Sequence, residues 1–127
     1  MVEIVNSNPL WPHVTSDWLR AVLHARQLRH DLLGKGLFHD PPWDILLLCF
    51  ANYLERRTTS VSDLCRASKT PESTTLRWLR ALEQQQLITM PINTHGQDVE
   101  NEIELRPEAV LALQKYFGAI SSHVFPL

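Results

Sequence analysis

Apolar positions along the chain change their period more than once, and each change marks an element. Trp18, Ala21, Ala25, Leu28 and Leu32 recur at steps of three and four, the spacing of one helix face. Ser16 before this run is the expected N-cap, and Gly34 and Gly36 after it are the expected stop. The next segment opens on Asp40-Pro41-Pro42, an acidic cap followed by proline at a position that needs no N–H. Trp43, Ile45, Leu46, Leu47, Leu48, Cys49, Phe50, Tyr53 and Leu54 then make a helix apolar nearly all round, as expected of one lying mid-domain. Arg56 and Arg57 are expected in its last turn, where the helix dipole favours cations.

Ser60-Val61-Ser62-Asp63 has the form of a capping box with Asp in place of Glu. It predicts a short helix through Leu64, Cys65 and Ala67, with a break near Ser68-Lys69. Thr70-Pro71 predicts another helix, with Thr75, Trp78, Leu79 and Leu82 inward and Ser73, Thr74, Arg77 and Arg80 outward. After Gln86 the period falls to two. Ile88, Met90 and Ile92 alternate with smaller residues. Val99, Asn101, Ile103 and Leu105 alternate with Glu100, Glu102 and Glu104. Between them lies the turn-rich stretch 93–98, so this is a hairpin with one wet, acidic face. Pro107 starts a final helix, with Val110, Leu113, Phe117, Ile120 and Val124 as its seam.

Composition narrows the class without changing this order. The chain has 127 residues, 44% hydrophobic and 20% charged with 4 glycines, which suits one ordered globular domain. The longest apolar run, residues 45–51, is too short to span a membrane, and the first residues lack a secretory signal pattern, so a cytoplasmic protein is expected. Net charge is −2, but the charges are segregated. Arg56, Arg57, Arg66, Lys69, Arg77 and Arg80 fall mid-chain, and Asp98, Glu100, Glu102, Glu104 and Glu108 fall in the last third. Cys49 and Cys65 form no CxxC pair and read as buried thiols. The 6 histidines show no metal-ligand spacing, and no nucleophile–base pair or phosphate-cradling glycine loop stands out, so neither a metal cofactor nor catalysis is expected.

A short helix, a tight break, an amphipathic helix and then a hairpin describe a winged helix-turn-helix. The second helix must bury one face and offer the other to a major groove about 12 Å wide. Residues 70–80 meet that need: Ser73 and Thr74 sit near the start, Arg77 a turn on, Arg80 beyond.

Residues 40–105 resemble the winged-helix domain of the MarR-type bacterial transcriptional regulators. The likeness rests on Asp40-Pro41-Pro42-Trp43-Asp44-Ile45-Leu46-Leu47 and Ser60-Val61-Ser62-Asp63-Leu64-Cys65. It rests above all on Thr74-Thr75-Leu76-Arg77-Trp78-Leu79 with Leu82-Glu83 and Leu87-Ile88. The resemblance implies a homodimer on double-stranded DNA, repressing transcription, with a small aromatic effector bound between the dimerisation and DNA-binding parts. It places the reading helix at residues 70–86. Ser73, Thr74 and Arg77 would face bases and phosphates, with Ser62, Lys69 and Arg80 as further backbone contacts and His95, Gly96 and Gln97 at the wing tip. The terminal helices would dimerise through Trp18, Ala25, Leu28, Leu32, Val110, Leu113, Phe117 and Ile120.

The expected layout is therefore a mainly α fold with a small β-hairpin. An irregular arm at 1–15 precedes one domain at 16–127, which holds a helix-turn-helix at 60–86 and a wing at 87–105. Two departures from the family pattern stand out. Thr94-His95-Gly96-Gln97-Asp98 has the glycine of a wing tip but lacks the arginine that enters the minor groove, and the strand after it is acidic. Gln86 stands where a glycine usually ends the reading helix. The acidic hairpin also suits a basic protein partner, so a protein-interaction module is the alternative reading.

Overall fold

The computed structural model describes residues 14–34, 37, 40–90 and 102–123, with side chains of the last three left aside. Helix α1 is Ser16–Leu33, α2 Pro41–Leu54, α3 Val61–Ser68, α4 Glu72–Gln84 and α5 Pro107–His123. Strands β1 (Thr59–Ser60), β2 (Ile88–Thr89) and β3 (Glu102–Leu105) form an antiparallel sheet in the order β1-β3-β2. Thr59 pairs with Ile103, and Ile88 with Leu105. The hairpin expected from the alternating stretch is thus β2 and β3. The added β1 has only two residues, too few to show a period.

Helix α2 explains the architecture. Its all-round apolarity serves two cores at once. Leu47, Phe50 and Ala51 pack with Val14 and Leu19 on one side and with Val110, Leu113 and Phe117 of α5. Ile45 and Cys49 pack with Val61, Leu64, Leu76, Leu79, Leu82, Ile88 and Ile103. The first core joins the two terminal helices. The second is the helix-turn-helix with its sheet. Aromatic rings tie the first together: Trp18 meets Phe117 edge-on at 5.1 Å, and Phe50 stacks on Phe117 at 6.3 Å.

Local signals hold with small shifts. The N-cap of α1 is Thr15, whose hydroxyl accepts from the Trp18 N–H at 3.2 Å, one residue before the expected Ser16. Gly34 ends α1 at φ 136°, a conformation open to glycine and strained for other residues. Asp40 caps α2 by position, without a side-chain bond. Helix α2 ends at Leu54, so Arg56 and Arg57 lie beyond it rather than in its last turn. The chain turns there through Arg56 at φ 60°. The capping box on α3 is complete, with the Asp63 N–H donating to Ser60 Oγ and the Ser60 N–H to Asp63 Oδ2. Among the described residues no helix is long and apolar enough to cross a membrane.

Candidate nucleic-acid interface

Helix α4 is held by its inner face. Thr75, Leu76, Leu79 and Leu82 are buried, Trp78 packs half-buried against the same core, and Leu76 is inward although the spacing had not singled it out. The outer face carries exposed Ser73, Arg77 and Arg80 and half-buried Thr74, as the spacing predicted. The start of the helix differs from expectation. Thr70 does not cap it: its hydroxyl donates to the Ser68 carbonyl at 3.1 Å. Pro71 is the N-cap, without a side-chain acceptor. The first N–H groups of α4 therefore have no side-chain cap, and with the dipole they form a positive end suited to an anion.

The connection into α4 is tight. Lys69 ends α3 at φ 55°, and its N–H donates to the Cys65 carbonyl. Ser62 is half-buried with its Oγ 3.1 Å from that of Ser60. Arg66 is exposed and pairs with Asp63 at 2.6 Å. The far end of α4 turns through Gln86 at φ 62°, the left-handed conformation that makes glycine usual at such a position. His95, Gly96 and Gln97 lie outside the described residues. On β3, Glu102 and Glu104 are exposed while Ile103 between them is buried, so the strand's outer face is acidic as expected.

Some of the mid-chain cations border hollows of the surface. Arg56, Arg57 and Arg66 line an open depression of about 740 Å³ together with Arg20, and Arg77 and Arg80 do not border it. Lys69 belongs elsewhere again, on a cavity of about 390 Å³ between α1, α2 and α3. Leu23, Ile45, Leu48 and Leu64 supply the apolar wall of that cavity, and Arg20, Arg26, His24, His30 and Asp44 its polar rim. Arg26 is paired with Asp44 across it, which ties α1 to α2.

A second tie was not foreseen from sequence. Arg20 donates to Glu55 at 2.8 and 3.2 Å and to Asn52 Oδ1 at 2.9 Å. Asn52 Nδ2 in turn donates to Thr59 Oγ1 at 2.8 Å. Thr59 immediately precedes the Ser60 cap, so this chain of bonds runs from α1 through α2 to the start of the helix-turn-helix. The one available signal was a lone amide in an otherwise apolar helix, since buried polar groups need partners. The Arg20 hydrogen bond holds the Glu55 carboxyl below its usual range, against some desolvation. The Ser60 N–H does the same for Asp63. Burial pushes the Cys49 thiol up to about 12, opposed by a hydrogen bond with Thr59, so this thiol is inert as expected.

The expected dimer seam divides. Val110, Leu113 and Phe117 are buried within this chain, so they close its own core instead of facing outward. The physical reason is that α2 presents an apolar side that the helix-turn-helix leaves uncovered, and α5 covers it. Trp18 and Ile120 are half-buried. Ala25, Leu28 and Leu32 stay on the surface, Leu32 at 75% exposure, beside exposed Leu33.

This fold is that of the winged-helix transcription regulators of the MarR type. It is similar to MepR, a transcription regulator of the Staphylococcus aureus multidrug efflux pump MepA, with a TM-score of 0.52 and 20% identity over 86% of this chain and 78% of that one. It is similar also to S. aureus MepR bound to ethidium bromide and to S. aureus MepR in a DNA-binding conformation. Each of these gives a TM-score of 0.50 and 21% identity over 86% of this chain and 76% of the other. These neighbours are transcription regulators rather than enzymes. No family model matches the chain, and no curated protein sequence does.

Proposed function

We propose that the chain is a homodimeric transcriptional repressor of the cytoplasm that binds double-stranded DNA through the outer face of α4. One observation carries this reading. Ser73, Arg77 and Arg80 stand exposed on a helix whose opposite face is locked into the core, with an uncapped N-terminus beside them. The similarity to a regulator solved in a DNA-binding conformation supports it. Arg77 is the residue assigned to base reading, and Ser73, Thr74 and the α4 N–H groups to phosphates, with Ser62, Lys69 and Arg80 in lesser roles. The second copy would pack on Ala25, Leu28 and Leu32. The cavity between α1 and α3 would take a small-molecule effector, since both the dimer helix and the helix-turn-helix line it.

The test is fluorescence anisotropy with DNA from the chain's own upstream region, against unrelated DNA, at several salt concentrations. Specific binding that weakens with salt is expected, and Arg77→Ala should cost about 1–3 kcal/mol of it. Equal binding to both DNAs, or none, refutes the proposal. The exposed Glu102 and Glu104 would then favour the second reading, a docking surface for a basic protein.

A further inference from the structure

The open depression of about 740 Å³ lies where the end of α2 and the residues after it meet α1 and α3. Arg20, Arg56, Arg57 and Arg66 line it, and Asp63 is the one acid among the described residues that do so. Glu55 stands behind, paired with Arg20 and 3.7 Å from Arg57. Four guanidinium groups therefore face two carboxylates, which leaves positive charge in excess. The chain leaves α2 by a tight turn, in which the Arg56 N–H donates to the Tyr53 carbonyl and the Arg57 N–H to the Asn52 carbonyl. Arg56 takes φ 60° there, a conformation that costs glycine least, yet the position carries a cation of the lining.

Two of these arginines are only weakly engaged. Arg57 is 68% exposed, and its 3.7 Å from Glu55 exceeds a hydrogen bond. Arg66 is 73% exposed, and its partner Asp63 lies three residues earlier on the same helix, an exposed pairing of small worth. A phosphate ester suits such a place, because it brings about −1.5 to −2 charge at neutral pH and three acceptor oxygens to the forked donors of arginine. The depression also has a neighbour. Arg20, Leu48 and Ala67 line both it and the cavity of about 390 Å³ between α1, α2 and α3. The two hollows therefore adjoin, one cationic and open, the other walled by Leu23, Ile45, Leu48 and Leu64. A DNA backbone or an inorganic anion would use only the first. A molecule with a charged head and an apolar body uses both.

We propose that the arginine depression is an anion subsite that holds the phosphate head of an alkyl or aryl phosphate whose apolar body lies in the adjoining cavity. This names the chemical class of the effector and rests on the assignment of that cavity to a small molecule, but not on DNA binding. Such a ligand touches α1, α2 and α3 at once. Its head competes with Asp63 for Arg66 and with Glu55 for Arg57. Both carboxylates belong to the joint between α1 and the helix-turn-helix: Asp63 completes the Ser60 cap, and Glu55 holds the Arg20 that bonds Asn52. Occupancy of the subsite therefore acts on that joint.

The experiment is calorimetric titration of the full chain, without DNA, with four probes: monodecyl phosphate below its micellar concentration, decanol, decyltrimethylammonium and inorganic phosphate. Saturable binding of decyl phosphate, about tenfold or more tighter than the other three, is expected, with leucine-methyl NMR placing the decyl chain beside Leu23 and Leu48. Arg57→Ala/Arg66→Ala, at two exposed positions, should weaken decyl phosphate by about tenfold and leave decanol unchanged, with the circular dichroism of the unaltered chain. Decanol or the decyl cation binding as tightly as decyl phosphate overturns the anion subsite while leaving a small-molecule cavity. Inorganic phosphate binding as tightly as decyl phosphate overturns the joint use of the two hollows. Binding of none of the four overturns the proposal together with the effector reading of the cavity. Vesicles of phosphatidylglycerol should leave the chain in solution, and their capturing it while decyl phosphate does not bind would assign the arginines to a membrane and overturn the proposal.

Discussion

Asn52 gives the sharpest test of how α1 is joined to the helix-turn-helix. Its side chain is 8% exposed and bonds Arg20 on one side and Thr59 on the other. Asn52→Ala removes both bonds and leaves the Thr59 hydroxyl, only 2% exposed, with the weakly bonding Cys49 thiol as its remaining side-chain partner. A neutral buried bond is worth about 0.5–1.5 kcal/mol, and a stranded donor or acceptor costs about 1–3 kcal/mol. The bond to Arg20 adds less than a buried charged bond would, because that side chain is 36% exposed and retains Glu55. The expected loss is therefore about 2–3 kcal/mol. Thr59→Val, which removes the hydroxyl with little change of shape, should cost about 1–2 kcal/mol. In the double variant Asn52→Ala/Thr59→Val nothing is left stranded between the two positions. Its loss should fall short of the sum of the singles by about 1 kcal/mol. Urea unfolding followed by far-UV circular dichroism gives all three values. If the single losses add to within about 0.5 kcal/mol, the two side chains are not coupled and the reasoning fails.

Three further outcomes follow from the same geometry. Gln86→Gly relieves a left-handed residue at φ 62° and should raise stability by about 0.5–1 kcal/mol, whereas Gln86→Ala should not; a lower melting temperature for the glycine variant would contradict this. Asp63 has a carboxyl pKa lowered first by the Ser60 N–H, so its contribution is fully present above the unfolded carboxylate value of about 4 and is lost as pH falls through the lower folded value. Melting curves over that acid range should be flatter for Asp63→Asn than for the unaltered chain, and parallel curves would refute the assignment. Gln114 is 1% exposed with neither amide atom bonded to any described residue, so Gln114→Leu should stabilise by about 1–3 kcal/mol in urea unfolding, and a destabilised variant would show that the amide is satisfied.

Much of the helix-turn-helix was legible because it depends on local rules. The Ser60–Asp63 box, the glycine after α1 and the inward and outward sides of α4 are set by neighbours a few residues away, and periodicity exposes them. Thr70 misled because the same Thr-Pro pair serves a helix cap and a turn. Its hydroxyl closes back on Ser68 instead.

The sequence by itself determined the order of the helices and of the β2–β3 pair, the central place of α2 and the chemistry of the outer face of α4. Those follow from hydrophobic period, capping residues and proline positions, all of short range. Tertiary structure decided what each apolar seam covers. Val110, Leu113 and Phe117 carry the same helical period whether they meet a second copy or their own core, and only the uncovered side of α2 settles that they turn inward. It also decided the bonding of Asn52, whose partners Arg20 and Thr59 lie 32 residues before it and 7 after it. A period records that a side chain is buried, while the group it is buried against is fixed by packing between elements distant in sequence.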